Sequence, residues 1–284
     1  CFNELFEILN MRVAIYGRKI TKQTLSAFNE VLETICSFGW SILLEEDLSK
    51  SLMQKTSVTF SFKTFASHLD LSSDVDMMIS VGGDGTFLKS VEYIRDSKIP
   101  ILGINLGNLG FLADIAPENI VNSVIDVVSG NYTKDNRFFL DAELATSKFN
   151  EIALNEVVIN SAATGKLLEY ELYIDDTFVY RQKGDGLIIS TPTGSTAYSL
   201  SGGGPIIHPN LQAITLLPMF PHSLTASPLV VADSSQIKLS VNKKASVNLD
   251  GQNTLNLKKG EILTIKKSPK PVSLLHPTDH SFFS

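Results

Sequence analysis

Near residue 136 the hydrophobic pattern of the chain changes, and that change narrows the fold more than any other feature. From residue 11 to about residue 131, short aliphatic or β-branched runs alternate with longer stretches of helical spacing. Residues 11–16 read as a strand, and residues 21–38 place Leu25, Phe28, Val31, Leu32 and Ile35 at helical intervals. A short strand at 41–44, an acidic and Ser/Lys-rich stretch, an apolar run at 75–81, a helix at 86–95, a strand at 99–104 and a helix at 117–128 follow. Strands alternating with helices predict right-handed βαβ units and a parallel sheet. After Asn136 the segments 137–144, 153–161, 167–174, 178–183, 186–190, 236–241, 246–250 and 261–266 are short, often alternating, and bounded by turn residues. They predict an antiparallel β domain with few helices. A chain of 284 residues holds two domains of ordinary size. The expected layout is an N-terminal extension at 1–10, because Met11 reads as the better start. An α/β domain at 11–135, a β-rich domain at 136–272 and a tail at 273–284 packing back on the first domain complete it.

Composition removes several classes of function. Apolar residues make up 43% and charged residues 19%, with mean hydropathy +0.11, which suits a folded globular chain. Twenty-four basic against 30 acidic residues leave a net charge of −6, so no overall positive field draws the chain to nucleic acid or to an anionic membrane. Any phosphate must therefore be met locally. No apolar run approaches the ~18 residues of a membrane span. Cys1 and Cys36 form neither a disulfide framework nor metal-ligand spacing, which points to a reducing cytoplasm.

Gly82-Gly83-Asp84-Gly85-Thr86 stands between a buried-type strand and a helix. Three glycines around one carboxylate leave a turn without side-chain cover, where backbone N–H groups can approach an anion at a helix N-terminus. The loop lacks the Lys-Ser/Thr ending of a Walker A motif and is not G-x-G-x-x-G. Asn105-Leu-Gly-Asn-Leu-Gly110-Phe111 follows the next strand at the same sheet edge, where open α/β sheets place their ligands. Asn155-Glu156 opens a strand of the second domain. Lys183-Gly-Asp185-Gly186 and the run from Thr191 to Pro205 then gather hydroxyls and glycines around Tyr198, a surface suited to a flat polar heterocycle with the ring as a stacking face. The five histidines form no paired-ligand spacing, and Ser195 is not in a G-x-S-x-G elbow.

These motifs, in order from residue 11 to near the C-terminus, resemble the bacterial NAD kinases. Gly-Gly-Asp-Gly-Thr alone is shared with diacylglycerol and sphingosine kinases, which leaves a lipid kinase or a non-catalytic NAD(P)-binding sensor as alternatives. The run 184–201 is what singles out NAD kinase. The resemblance implies phosphoryl transfer from ATP to the 2′-hydroxyl of the adenosine ribose of NAD, with a divalent metal such as Mg²⁺, in a homodimer or homotetramer. It implies Asp84 as general base, with Gly82, Gly83, Gly85 and Thr86 at the ATP phosphates. No protein ligand to the metal is assigned. Asn155 and Glu156 would hold NAD, and Phe111, Asp185, Thr196, Ala197, Tyr198, Ser199, Leu200 and Ser201 would line its pocket, which Asp84 and Gly85 also reach. Lys89, Lys166 and Lys183 fall at common cationic contacts, and Gln252 resembles a further one. Ser227 departs from the family pattern, which often has Arg before the following Pro.

Overall fold

The computed structural model describes residues 11–278 except 19, 22–23, 56–61, 72–73, 96, 108–109, 117–118, 145–149, 164 and 224–225, and for Val128 the backbone alone. The expected extension at 1–10, parts of the second glycine loop and of the helix start at 117, and the end of the tail lie outside the described residues. Two compact units divide the chain: residues to Asn136 with those from Val272 onward, and Arg137–Pro271.

The first unit is built on a seven-stranded sheet. Its strands are β1 (Arg12–Gly17), β2 (Ser41–Glu45), β3 (Lys63–Phe65), β4 (Met77–Val81), β5 (Ile101–Ile104), β6 (Tyr132–Arg137) and β19 (Val272–Pro277), in the order β3-β2-β1-β4-β5-β19-β6. All pairs from β3 to β19 are parallel. Every residue of β4 and β5 is buried, the mark of parallel strands covered on both faces. Helix α1 (Leu25–Ser37) turns Phe28, Val31 and Ile35 into the core that β1, β2 and β4 share. Helix α2 (Glu46–Met53) occupies the acidic stretch for which no helix was expected. Glu45 accepts from the Leu48 N–H at 2.9 Å, Glu46 and Asp47 suit the helix dipole, and only Leu48 and Leu52 bury an apolar side chain, too little for periodicity to register. Helices α3 (Asp84–Ile94) and α4 (Ile120–Val128) complete the unit.

The second unit has two six-stranded antiparallel sheets with a common core. One runs β11 (Thr177–Gly184), β10 (Leu168–Ile174), β15 (Ile237–Val241), β18 (Ile262–Lys267), β7 (Leu140–Leu144) and β8 (Asn150–Ala153). The other runs β14 (Leu229–Ala232), β13 (Ala213–Met219), β12 (Gly186–Ser190), β9 (Glu156–Ser161), β16 (Ala245–Leu249) and β17 (Asn253–Leu257). Alternation works as the pleat requires: Leu168, Tyr170 and Leu172 of β10 meet Val157 and Ile159 of β9 in one cluster. Strands β9 and β12 are also covered on their far face, where Val158, Ile188 and Leu217 pack together and the four-residue helix α5 (Tyr198–Ser201) turns.

Several strands differ from the sequence reading. The segment read as 137–144 divides, Arg137 ending β6 of the first sheet while β7 begins at Leu140. The segment read as 153–161 divides at Leu154-Asn155, and β13, β14 and β17 went unpredicted. Pro218 inside β13 and the polar Asn-Thr-Leu-Asn of β17 hide them from a search for apolar alternation.

Candidate functional site

Strand order in the first sheet reverses between β1 and β4, and at such a switch point the carboxyl ends of parallel strands leave room for a ligand. Gly17, Val81 and Ile104 stand in register there, so Arg18, the Gly82 loop and the Asn105 loop leave adjacent strand ends. Gly82 is required by packing: a Cβ would lie 2.4 Å from Thr86 Oγ1. Gly83 caps α3, its carbonyl accepting from Thr86 and Phe87 at 2.8 and 3.0 Å. The amides of Asp84 and Gly85, ahead of those bonds, have no intrahelical acceptor and stay available to an anion.

Asp84 is the first residue of α3, and its carboxylate reaches across to the second loop. Oδ2 accepts from the Phe111 N–H at 3.0 Å, and Oδ1 from Leu112 and Ala113 at 3.1 and 3.0 Å. Gly110 has no room for a side chain, since a Cβ would fall 2.1 Å from Oδ1. Buried Asn105 braces the same loop, donating through Nδ2 to the Ala113 carbonyl at 3.0 Å and accepting from the Gly107 N–H at 2.8 Å. Phe111 is left 47% exposed beside this cage. Arg18, which the sequence reading did not single out, brings Nη2 within 3.1 Å of where a Gly85 Cβ would sit. Lys89 is paired with Glu92 one turn along α3.

In the second unit the residues from Leu154 to Glu156 form the entry to β9. Asp250 Oδ2 accepts from the Leu154 N–H at 2.6 Å, and Oδ1 from Asn155 and Glu156, both at 2.9 Å. Opposite, the Thr191 hydroxyl donates to the Leu154 carbonyl at 2.6 Å and the Thr191 N–H to that of Asn155 at 2.9 Å. Gly194 passes so close that a Cβ would lie 2.2 Å from the Asn155 oxygen. Asn155 Oδ1, Glu156 Oε2 and Ser199 Oγ are buried polar atoms without a hydrogen-bond partner in the protein. Burial, and then the charge of Asp250, push the Glu156 carboxyl up to about 8, against a backbone bond from Tyr198. At neutral pH Glu156 therefore carries a proton and can donate as well as accept.

The hydroxyl-rich run divides its labour. Ser190, Thr191 and Ser195 spend their hydroxyls on backbone carbonyls, and Thr193 accepts from Arg137 at 3.0 Å. Thr196 and Ala197 are half-buried, whereas Tyr198, Leu200 and Ser201 face outward, Tyr198 being 46% exposed. Gln252 is exposed beyond the Asp250 turn. Lys183 and Asp185 stand apart from Glu156. Strand register sets Ser190 opposite Glu156 and Gly186 opposite Asn160, so Asp185, just before β12, lies roughly 17 Å away. Exposed Lys166 precedes β10, whose Leu168 and Glu169 pair with Gly184 and Lys183, so these three polar residues share that far end. Ser227 lines a groove of about 660 Å³ with Lys183 and His222.

Comparison with known proteins agrees with this geometry. Residues 13–132 match the model of the ATP-NAD kinase N-terminal domain and residues 154–277 that of the ATP-NAD kinase C-terminal domain. The NAD kinase of Azotobacter vinelandii is 39% identical over 279 residues, covering 95% of this chain and 92% of that protein. The NAD kinase of Teredinibacter turnerae is 40% identical over 278 residues, covering 95% and 93%. Among solved structures, an NAD kinase from Archaeoglobus fulgidus in complex with ATP superposes with TM-score 0.74 at 26% identity, covering 94% of each chain. Yeast NADH kinase complexed with NADH shares the fold, with TM-score 0.87 at 24% identity, over 95% of this chain and 84% of that one. The chain belongs to the ATP-NAD kinase family. Among the described residues no helix is long and apolar enough to cross a membrane.

Proposed function

We propose that this chain phosphorylates the 2′-hydroxyl of the adenosine ribose of NAD with ATP, giving NADP and ADP. The observation that carries the reading is the pair of unpartnered, buried polar atoms Asn155 Oδ1 and Glu156 Oε2 on a turn whose backbone is held from both sides. Buried polar groups are rarely left unpaired, so a partner from outside the protein, a ligand or an ordered water, is expected at these two atoms. Ribose hydroxyls, which both donate and accept, suit an amide oxygen and a protonated carboxyl. Tyr198 offers its ring face to a base, and the group Lys166, Lys183 and Asp185 at the far end of β12 meets the other part of an extended dinucleotide.

In the first unit Asp84 takes the hydroxyl proton. Oδ2 accepts one amide bond and keeps a lone pair, and the grip of residues 111–113 holds that oxygen in a single direction. A positioned base of this kind contributes ~10²- to 10⁴-fold. The amides at the start of α3 and the Arg18 guanidinium receive donor phosphate charge. A divalent ion fits as a companion of ATP. Asp84 is the carboxylate at the glycine loop, no three His, Cys, Asp or Glu side chains gather among the described residues, and Mg²⁺ commonly takes one or two carboxylates with phosphates and water. When bound, the ion offsets charge on the phosphoryl group. The two-cysteine composition favours a cytoplasmic setting, and the family resemblance a homodimer or homotetramer.

The test is incubation with ATP, Mg²⁺ and NAD, reading NADP with an NADP-specific dehydrogenase. NADP formation is the expected result. Phosphorylation of diacylglycerol instead of NAD, or NAD binding without turnover, would overturn the reading.

A further inference from the structure

The residues so far assigned to NAD do not include Asp250, yet the turn that presents them hangs on it. We infer that Asp250 is a positioning residue for the dinucleotide: its carboxylate, gathering the N–H groups of Leu154, Asn155 and Glu156, sets the direction in which Asn155 and Glu156 point. The inference rests on the reading of this turn as the NAD site.

At this turn the carboxylate is engaged by the backbone from three sides. Three consecutive amides converge on two oxygens, at 2.6, 2.9 and 2.9 Å, and the return bond runs from the Asp250 N–H to the Glu156 carbonyl at 3.1 Å. Asp250 and Gly251 have positive φ, +50° and +69°, a conformation Asp tolerates because its short side chain bonds to nearby backbone. The turn is closed by the Asn248 carboxamide, whose Oδ1 accepts from the Gly251 N–H at 2.8 Å and whose Nδ2 donates to Thr254 at 3.0 Å. Amides point to Asp250 and carbonyls to Thr191, so both backbone polar groups of residues 154 and 155 are spoken for. What remains unbonded is Asn155 Oδ1 and Glu156 Oε2. A turn thus immobilised meets a ligand without ordering cost, the usual gain from preorganisation.

Asp250→Asn separates positioning from folding, since Asn accepts positive φ and keeps one oxygen for two of the amides, while its NH₂ faces the third. The NAD dissociation constant and KM should rise by about tenfold, the effect of one buried donor left unpaired, while the KM for ATP stays within about twofold. Glu156→Gln provides the second arm. If Asp250 acts through Glu156, the two substitutions are non-additive, and Asp250→Asn costs clearly less in a chain already carrying Glu156→Gln than in the wild type. Equal costs in both backgrounds, or NAD affinity unchanged in a folded Asp250→Asn protein, would overturn the inference. Should the variant fail to fold, amide hydrogen exchange of the wild-type chain decides: residues 154–156 should exchange slowly, and rapid exchange there overturns the clamp. A wild-type chain that makes no NADP refutes the function itself. A wild-type chain that makes NADP, with a silent Asp250→Asn, refutes only the clamp.

Discussion

Asp84 in the first unit and Asp250 in the second each collect three consecutive backbone N–H groups, those of residues 111–113 and of residues 154–156. In both places a glycine passes too close for a side chain, Gly110 against the Asp84 carboxylate and Gly194 against the Asn155 oxygen. The outcomes differ because of what is left over. Around Asp250 the unbonded atoms belong to neighbours, Asn155 and Glu156, so in the proposed reading the carboxylate serves the turn and the turn meets the ligand. Around Asp84 the carboxylate itself stands at the head of α3 beside bare glycine amides. Under the proposed function, the same local chemistry supplies a reacting group in one unit and a scaffold in the other.

Asp84→Asn tests the first half of that contrast and should have the largest effect. An Asn keeps the size but cannot take a proton at neutral pH, so kcat should fall by about 10²-fold or more, roughly 2.7 kcal/mol of transition-state stabilisation. The NH₂ group also confronts an amide donor of residues 111–113, which should lower stability by about 1 kcal/mol. Retention of more than about a tenth of wild-type kcat would remove Asp84 as the base.

Paired glycine substitutions separate the two cages. Gly110→Ala drives a methyl into the Asp84 carboxylate and should depress kcat, whereas Gly194→Ala pushes on the Asn155 carbonyl and should weaken NAD affinity. Each should lose about 1–3 kcal/mol of stability from overpacking, measured by denaturant unfolding. If both variants shift the same kinetic constant, the division of labour is wrong.

Glu156→Gln sharpens the contrast through pH. The folded wild type holds the Glu156 proton up to about pH 8, while the unfolded chain releases it near the ordinary carboxylate value. Between those values the folded state binds more protons, so wild-type stability declines as pH rises through the window and levels off above it. Gln carries no such penalty. The variant should match the wild type near pH 4.5 and exceed it increasingly toward pH 8, by on the order of 4 kcal/mol in chemical denaturation. A pH-independent difference would mean that Glu156 is ionised in the folded protein at neutral pH.

The smallest expected effect belongs to Tyr198, whose exposed ring is the proposed stacking face. Tyr198→Phe should bind NAD better than Tyr198→Ala by ~0.5–1.5 kcal/mol in calorimetry. Equal losses would assign the contribution to the hydroxyl.

By itself the amino-acid sequence determined the two-part architecture, the parallel character of the first sheet and the positions of the glycine loops. These rest on periodicity and turn chemistry, which act over a few residues and leave a mark in any window that contains them. Where burial was slight or a strand carried Pro or Asn, as in α2, β13 and β17, the mark was too faint to read. Family motifs brought Asp84, Asn155 and Glu156 to notice, but not what holds them. The partners of Asp84 lie 27 to 29 positions away, and those of Asp250 lie 94 to 96 positions away. Only the tertiary structure decided which amides each carboxylate gathers, that Lys183 and Asp185 stand at the opposite end of β12 from Glu156, and that Arg18 reaches Gly85. Contacts of that range are set by sheet order and register, and no local pattern of residue types encodes them.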